Sequence, residues 1–176
     1  MSRLSVPVSA KDHVQGDPHA PVTLVEYGDY QCPSCGQAYP IVKRLQKHFS
    51  KRVSFVFRNF PLTQIHPYAE PAAETAEYAG AHHKFWEMHD LLYENQGSLD
   101  DGLLLKLSQQ LNLDPNALAE ALESKQFEPR VRADFSSGVR SGVNGTPTFF
   151  INGERHDGSY DYESMVDAIV SAGSPG

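Results

Sequence analysis

The stretch that decides the fold is residues 22–35, which reads VTLVEYGDYQCPSC. Its first part, Val22–Tyr27, is rich in β-branched residues and ends at a Gly-Asp pair, a pattern typical of a buried strand followed by a turn. Beyond it, apolar residues recur at the spacing of an amphipathic helix, namely Ala38, Ile41, Val42, Leu45 and Phe49. The sequence therefore predicts a strand that leads into a helix, with Cys32 and Cys35 where the helix begins.

A second strand is predicted after this helix, over Arg52–Asn59, where the residues alternate and are largely hydrophobic. A strand, a helix and a strand in this order pack as a parallel unit with a right-handed crossover. Pro40 lies inside the helix, and because proline lacks an N–H and crowds the preceding turn, we expect a kink there. The pattern indicates an α/β fold.

Residues 66–139 differ from the rest of the chain because they are helical in pattern and acidic, with 13 Asp and Glu against 5 Lys and Arg. Asp114 followed by Pro115 is typical of a helix N-cap with proline at the first helical position. Ser98 with Asp101 three residues later resembles a capping box. These signals predict an all-helical insertion over residues 62–139.

Asn152 and Gly153 separate two short segments, Thr148–Ile151 and Glu154–His156. Because Asn-Gly readily adopts the two positive φ values of a type I′ turn, we expect a β-hairpin here. Asp161 is then placed to cap a closing helix, whose apolar positions are Met165, Val166, Ile169 and Val170. Residues 173–176 are predicted to be a loose tail.

Composition limits both the architecture and the partners. The length of 176 residues suits one domain with an insertion. The formal net charge of −7 leaves no excess of cations to neutralise nucleic-acid phosphates, so no nucleic acid is expected as a partner. The apolar runs are far shorter than the roughly 18 residues of a membrane-spanning helix, so no membrane span is expected. With no export signal evident, we expect a cytoplasmic protein as the sequence stands, or a periplasmic or extracytoplasmic one if a signal was removed.

Cys32 and Cys35 are the two cysteines of the chain, and they are too close in sequence to close a long stabilising loop. A thiolate at a helix N-terminus faces unpaired N–H groups and the positive end of the helix dipole, which lowers its pKa. Cys32 is therefore predicted to be the nucleophile, and Cys35, within reach of it, the resolving thiol. Pro33 suits the first helical turn because it has no N–H to leave unpaired.

The same cysteine pair would be half of a zinc site if histidines supplied the other ligands. The histidines available for that role are His66, His82, His83 and His89. A structural zinc site normally shows a tighter Cys/His pattern than this one, so we predict neither a metal nor another cofactor.

Glu26 lies on the first predicted strand, six residues before Cys32, where the alternation of the strand places it beneath the start of the helix. Burial without a partner raises the pKa of a carboxyl group, which would make Glu26 a proton acceptor for Cys35. The alternative is a carboxylate that is partly solvated or paired with a basic neighbour.

Several motifs together resemble the DsbA-like branch of the thioredoxin superfamily, the bacterial thiol–disulfide oxidoreductases. They are residues 16–27, the Cys32-Pro33-Ser34-Cys35 motif, Pro40 and the Gly145–Phe149 segment. The resemblance covers about residues 16–172. It implies a thioredoxin fold with an inserted all-helical subdomain: thioredoxin-like parts at 21–61 and 140–172, the helical insertion at 62–139, and an N-terminal arm at 1–20.

The resemblance also implies roles for individual residues. Cys32 would be the attacking thiol, Cys35 the resolving thiol, and Pro147 a cis-proline that faces them. Thr146 would present its backbone to an extended substrate peptide, with Pro33 and Ser34 on the same binding surface. The implied partners are protein or peptide thiols and disulfides, together with a redox partner that the sequence does not identify.

One departure concerns Ser34, since well-known strongly oxidising members carry a histidine between the two cysteines. Without that cation, the direction of electron flow stays open. Two further classes remain as alternatives: a thioredoxin-fold glutathione transferase or isomerase acting on a small molecule, and a non-catalytic peptide-binding module. The cysteine pair counts against both, because neither needs a dithiol. The sequence predicts no oligomeric state.

Overall fold

The computed structural model describes residues 2–173, and within them the chain forms a mixed five-stranded sheet with seven α-helices. The tail predicted at 173–176 lies, apart from its first residue, outside the described residues. The strands are β1 (His13–Gln15), β2 (Val22–Gly28), β3 (Val53–Asn59), β4 (Thr148–Ile151) and β5 (Glu154–His156). Their order across the sheet is β1-β3-β2-β4-β5, so the strand that precedes the two cysteines lies in the centre.

Strand β2 pairs in parallel with β3, with Val22 opposite Val53, and antiparallel with β4, with Glu26 opposite Phe149. The predicted parallel strand–helix–strand unit is thereby confirmed. Strand β1 adds to the outer edge of β3 in an antiparallel sense. The predicted hairpin is also present, with φ values of 49° at Asn152 and 84° at Gly153.

The helix that follows β2 is α1 (Pro33–Phe49), which begins with proline at its first position and has Cys32 as its N-cap residue. Most of the predicted apolar stripe is buried, including Ala38, Leu45 and Phe49. Pro40 lies inside the helix, and the kink expected there stays a prediction.

Five helices lie between β3 and β4, and they are α2 (Ala69–Ala81), α3 (Phe85–Glu94), α4 (Asp101–Gln110), α5 (Pro115–Glu123) and α6 (Glu128–Arg140). The closing helix is α7 (Tyr162–Ser171). In α5 the Asp114 carboxylate accepts from the N–H of Asn116, and in α7 the Asp161 carboxylate accepts from Ser164, so both predicted N-caps are confirmed. In the described part of the chain, no helix is both long and apolar enough to cross a membrane.

The predicted capping box at Ser98 is wrong. Ser98 belongs to a short 3₁₀ turn, Gln96–Ser98, and the N-cap of α4 is Asp100, whose carboxylate accepts from the N–H of Leu103 at 2.8 Å. The residue between Ser98 and Asp100 explains the difference. Leu99 has an extended backbone and is 5% exposed, and because its side chain is buried in this conformation, the helix begins after it. Asp100 then performs the capping that the sequence pattern assigned to Ser98.

The two faces of the sheet bury separate apolar clusters. Strand side chains alternate between faces, so β2 directs Leu24 towards the face covered by α1 and directs Val25 and Tyr27 towards the opposite face. Glu26 follows Leu24 by two residues and therefore belongs to the same face as Leu24 and the cysteines. This alternation is what places a carboxyl group beneath the two cysteines.

Candidate active site

Cys32 and Cys35 stand at the start of α1 as two free thiols. Cys32 is 6% exposed and Cys35 is completely buried, because Cys35 lies one helical turn into a helix that packs on the sheet. Cys32 is the N-cap residue and has an extended backbone. The thiol nearer to solvent is therefore the one that sequence reasoning assigned as the nucleophile.

The hydrogen bond from the Cys35 side chain lowers the pKa of Cys32 to about 5, even though partial burial acts in the opposite direction. Further hydrogen bonds from the Thr146 side chain and from the N–H groups of Cys35 and Ser34 lower this pKa as well. These N–H groups are the unpaired donors that every helix start carries. These contacts stabilise the ionised form of Cys32.

Cys35 responds in the opposite direction. Burial raises the pKa of Cys35 well above its ordinary value, and the hydrogen bond to Cys32 and the charge of Glu26 raise it further. The N–H of Asp29 opposes this rise. The pair is therefore asymmetric: the ionised form of Cys32 is stabilised, whereas the protonated form of the more deeply buried Cys35 is stabilised.

Glu26 is 2% exposed, and its Oε2 atom has no hydrogen-bond partner in the structure. Burial raises the pKa of Glu26 to about 8, and the negative charge of Cys32 contributes to the rise. Among the described residues, Glu26 forms no ion pair, which disfavours the alternative of a solvated or paired carboxylate. Glu26 is thus a carboxyl group that gains and loses a proton near neutral pH.

Thr146 and Pro147 come from the loop that precedes β4, and the peptide bond between them is cis. The Cys32 thiol donates to the carbonyl oxygen of Thr146 at 3.5 Å. The Thr146 hydroxyl is buried, and its contribution to lowering the pKa of Cys32 marks it as a donor for the thiolate. Pro33 is exposed and Ser34 half-buried beside the same sulfur. The structure thus brings the predicted site residues together at one end of the sheet.

Asp29 is a residue of the site that sequence reasoning missed. Its buried carboxylate accepts from the N–H of Gln31 at 2.7 Å, from the N–H of Leu62 at 2.9 Å, and contacts Nδ1 of His66 at 2.7 Å. Its carbonyl accepts from the N–H of Cys32 at 3.1 Å. Asp29 therefore joins the cysteine turn to the loop after β3. The sequence signal for Asp29 is the Gly-Asp pair, a pattern that by itself predicts only a turn at the end of a strand.

Gln96 is a second residue that was missed. Its Nε2 atom donates to the carbonyl oxygens of Tyr30 at 3.0 Å and Cys32 at 2.7 Å. These contacts join parts of the chain 66 and 64 residues apart, and no periodicity or spacing in the sequence points to them.

Three of the four histidines considered as zinc ligands form other contacts. His66 contacts Asp29, and His89 is buried with its Nδ1 against the Tyr30 hydroxyl at 2.9 Å. His82 packs against the ring of Tyr78. Within residues 2–173, no group of three or more His, Cys, Asp or Glu side chains is placed to hold a metal ion.

Known structures share this architecture over nearly the whole chain. BdbD from Bacillus subtilis, in its oxidised form, is 29% identical with a TM-score of 0.86, and the match covers 98% of each chain. α-DsbA1 from Wolbachia pipientis is 20% identical with a TM-score of 0.82, covering 96% of this chain and 94% of that chain. At 20% identity, the similarity to α-DsbA1 shows a shared fold and nothing beyond it.

A curated relative is more similar in sequence but much longer. The Na(+)/H(+) antiporter NhaA 1 of Salinispora arenicola is 48% identical over 170 residues, which are 96% of this chain and 26% of that protein. The chain thus spans about a quarter of the length of the curated relatives it matches. Residues 9–171 match the family described as thioredoxin. This match shows that the chain belongs to the thioredoxin family.

Proposed function

We propose that this protein is a thiol–disulfide oxidoreductase that exchanges disulfides with protein or peptide substrates through Cys32 and Cys35. The observation that carries the proposal is the asymmetry of the pair: Cys32 is 6% exposed with a pKa lowered to about 5, whereas Cys35 is completely buried with a pKa raised well above its ordinary value. Thiolates attack disulfides whereas thiols do not, so this arrangement supplies one attacking group and one group held in reserve.

In the oxidising direction, the pair begins as a Cys32–Cys35 disulfide. A substrate thiolate attacks the Cys32 sulfur, forms a mixed disulfide and expels Cys35 as a thiolate, which takes a proton. A second substrate thiolate then attacks the mixed disulfide at the substrate sulfur and expels Cys32 as a thiolate. The substrate gains a disulfide, the enzyme becomes a dithiol, and a partner disulfide reoxidises it.

In the reducing direction, the Cys32 thiolate attacks a substrate disulfide and releases one substrate sulfur as a thiolate. Cys35 must then lose its proton to attack the mixed disulfide. Glu26 lies on the same face of the sheet and has a pKa of about 8, so it serves both directions as the proton donor or acceptor of the buried thiol.

The substrate binds beside Thr146, whose carbonyl oxygen already lies 3.5 Å from the Cys32 sulfur. An extended peptide bonded to Cys32 would align with this backbone as an added strand. Pro33 and Ser34 form the adjoining surface, where they leave space for the side chains that flank the substrate cysteine.

The stabilised thiolate favours oxidation of the substrate. A low pKa of Cys32 stabilises the dithiol form relative to the disulfide, which carries no charge, and a stable dithiol makes the disulfide a stronger oxidant. A pKa of about 5 lies between those of thioredoxin and DsbA, whose potentials are about −270 mV and about −120 mV. We expect an intermediate potential, which suits a compartment outside the cytoplasm.

The deciding experiment is turnover of a dithiol peptide and of a disulfide peptide, combined with titration of the Cys32/Cys35 pair in glutathione buffers. Exchange with both peptides through a mixed disulfide supports the proposal. Conjugation of glutathione to a small molecule would favour a transferase, and peptide binding without exchange would favour a binding module. Antiporter activity is not assigned to this chain, because the chain corresponds to 26% of those longer relatives.

A further inference from the structure

Gln96 holds the turn that carries Cys32 from outside the thioredoxin-like part of the chain. It lies between α3 and α4, and its side-chain nitrogen donates to two carbonyl oxygens of the turn, those of Tyr30 and Cys32. Two acceptors on one nitrogen use both of its N–H bonds. This amide is therefore fully engaged with the backbone at the start of α1.

The oxygen atom of the Gln96 amide lies against Gly36. A Cβ atom added to Gly36 would overlap the Oε1 atom of Gln96, and the three atoms nearest to it all belong to the Gln96 side chain. Gly36 also donates its N–H to the Cys32 carbonyl at 3.1 Å. Glycine at this helical position thus has a specific function, because it lets the amide reach the backbone.

The Cys32 carbonyl is consequently held twice, once by the first hydrogen bond of α1 and once by Gln96. Cys32 has φ −72° and ψ 121°, outside the helical range. Its peptide plane decides how the sulfur faces the N–H groups of Ser34 and Cys35. A contact that fixes this plane acts on the sulfur without touching it.

We propose that Gln96 is a positioning residue for Cys32, whose amide clamps the Tyr30 and Cys32 carbonyls and so keeps the reactive sulfur aligned with the N–H groups of the first helical turn. The inference rests on the proposed function in that Cys32 is the attacking thiol. It couples the helical part of the chain to the redox centre through one side chain.

The first test replaces Gln96 by methionine, which has a similar length but no donor. In the reduced protein, ultraviolet absorbance of the thiolate as a function of pH should show the Cys32 transition about half a pH unit higher, with slower attack on a disulfide peptide at acidic pH. Gln96→Glu, which sets a carboxylate against two carbonyl oxygens, should shift it at least as far. Gln110→Met, an exposed glutamine on α4, is the matched control and should titrate as the parent protein.

The second test is a double-mutant cycle on the free energy of unfolding. Gly36→Ala should destabilise the parent protein, because the new methyl group displaces the Gln96 amide. In a Gln96→Ala background the same substitution should stabilise, since the obstruction is gone and alanine favours the helix. The reversal of sign is specific to this contact.

Unchanged titration in both Gln96 variants, or the same sign of Gly36→Ala in both backgrounds, would overturn the assignment. Neither the absorbance titration nor the double-mutant cycle uses a substrate. If the parent protein exchanged no disulfides, the proposed function would fail while the titration shift and the cycle still reported on Gln96.

Discussion

The sulfur of Cys32 lies 3.5 Å from the carbonyl oxygen of Thr146, across 114 residues of sequence. The contact joins the start of α1 to the loop before β4. The two segments meet because β2, which leads into α1, and β4, which follows the loop, are neighbours in the sheet. A sulfur held beside this half-buried backbone segment is placed both to react and to have its substrate aligned.

The two cysteines should fail in different ways. Cys32→Ser should abolish exchange, whereas Cys35→Ser should still attack a disulfide peptide and accumulate the mixed disulfide, because no resolving thiol follows. Mass spectrometry after incubation with the peptide measures the adduct. An adduct on Cys32→Ser but none on Cys35→Ser would mean that the roles are reversed.

Alkylation of the reduced protein should follow the ionisation of Cys32. We expect the rate of modification by iodoacetamide to rise with pH around a midpoint near 5, the pKa of Cys32, with Cys35 unmodified because it is buried and protonated. Peptide mapping identifies the modified cysteine. A midpoint near the ordinary thiol value of about 8.5 would contradict the assignment.

The lowered pKa of Cys32 also determines whether the stability of the reduced protein rises or falls with pH. In the unfolded chain Cys32 titrates at about 8.5, so its folded pKa of about 5 contributes stability that is complete above pH about 8.5 and is lost as the pH falls through 5. The oxidised protein has no such thiol. The stability of the reduced form relative to the oxidised form should therefore rise with pH across this window, as denaturant unfolding of both forms measures. A constant difference would argue against a stabilised thiolate.

Replacing Glu26 should affect one chemical step more than the other. Glu26→Gln should slow attack by Cys35 on the mixed disulfide by about tenfold or more, while first attack by Cys32 changes little, because only the buried thiol needs a nearby proton acceptor. Stopped-flow measurement separates the steps. Equal slowing of both would leave Glu26 with a structural role alone.

Glu26 also makes stability depend on pH in the opposite sense to Cys32. Its pKa is raised from 4.5 to about 8, so its contribution is complete below pH about 4.5 and is lost as the pH rises through 8. In the oxidised protein, where Cys32 does not titrate, Glu26→Gln should flatten the fall in stability over this range. Parallel profiles for the variant and its parent would show that Glu26 does not hold an extra proton in the folded state.

Ser34→His should make the protein more oxidising. A partly cationic imidazole beside the Cys32 thiolate stabilises the reduced form but not the uncharged disulfide. A fall of one unit in a pKa already below the assay pH corresponds to about 30 mV in a two-electron couple. Titration in glutathione buffers measures the shift, with Ser34→Gln as a polar, uncharged control. An unchanged or more negative potential would show that charge at this position does not set the redox balance.

Much of this molecule follows from local rules that the sequence by itself determines. The β2 strand, the start of α1, the Asn152-Gly153 hairpin and the Asp114 and Asp161 caps each depend on residues within a few positions of one another. The placement of Glu26 beneath the helix also follows from strand alternation alone.

Tertiary structure decided the rest. The N-cap of α4 is Asp100 and not the predicted Ser98, because burial of Leu99 outweighed the local capping pattern. The contacts of Cys32 with Thr146 and Gln96 join residues 114 and 64 positions apart. Such contacts depend on how strands and helices pack, a property of the assembled core that no short window of sequence encodes.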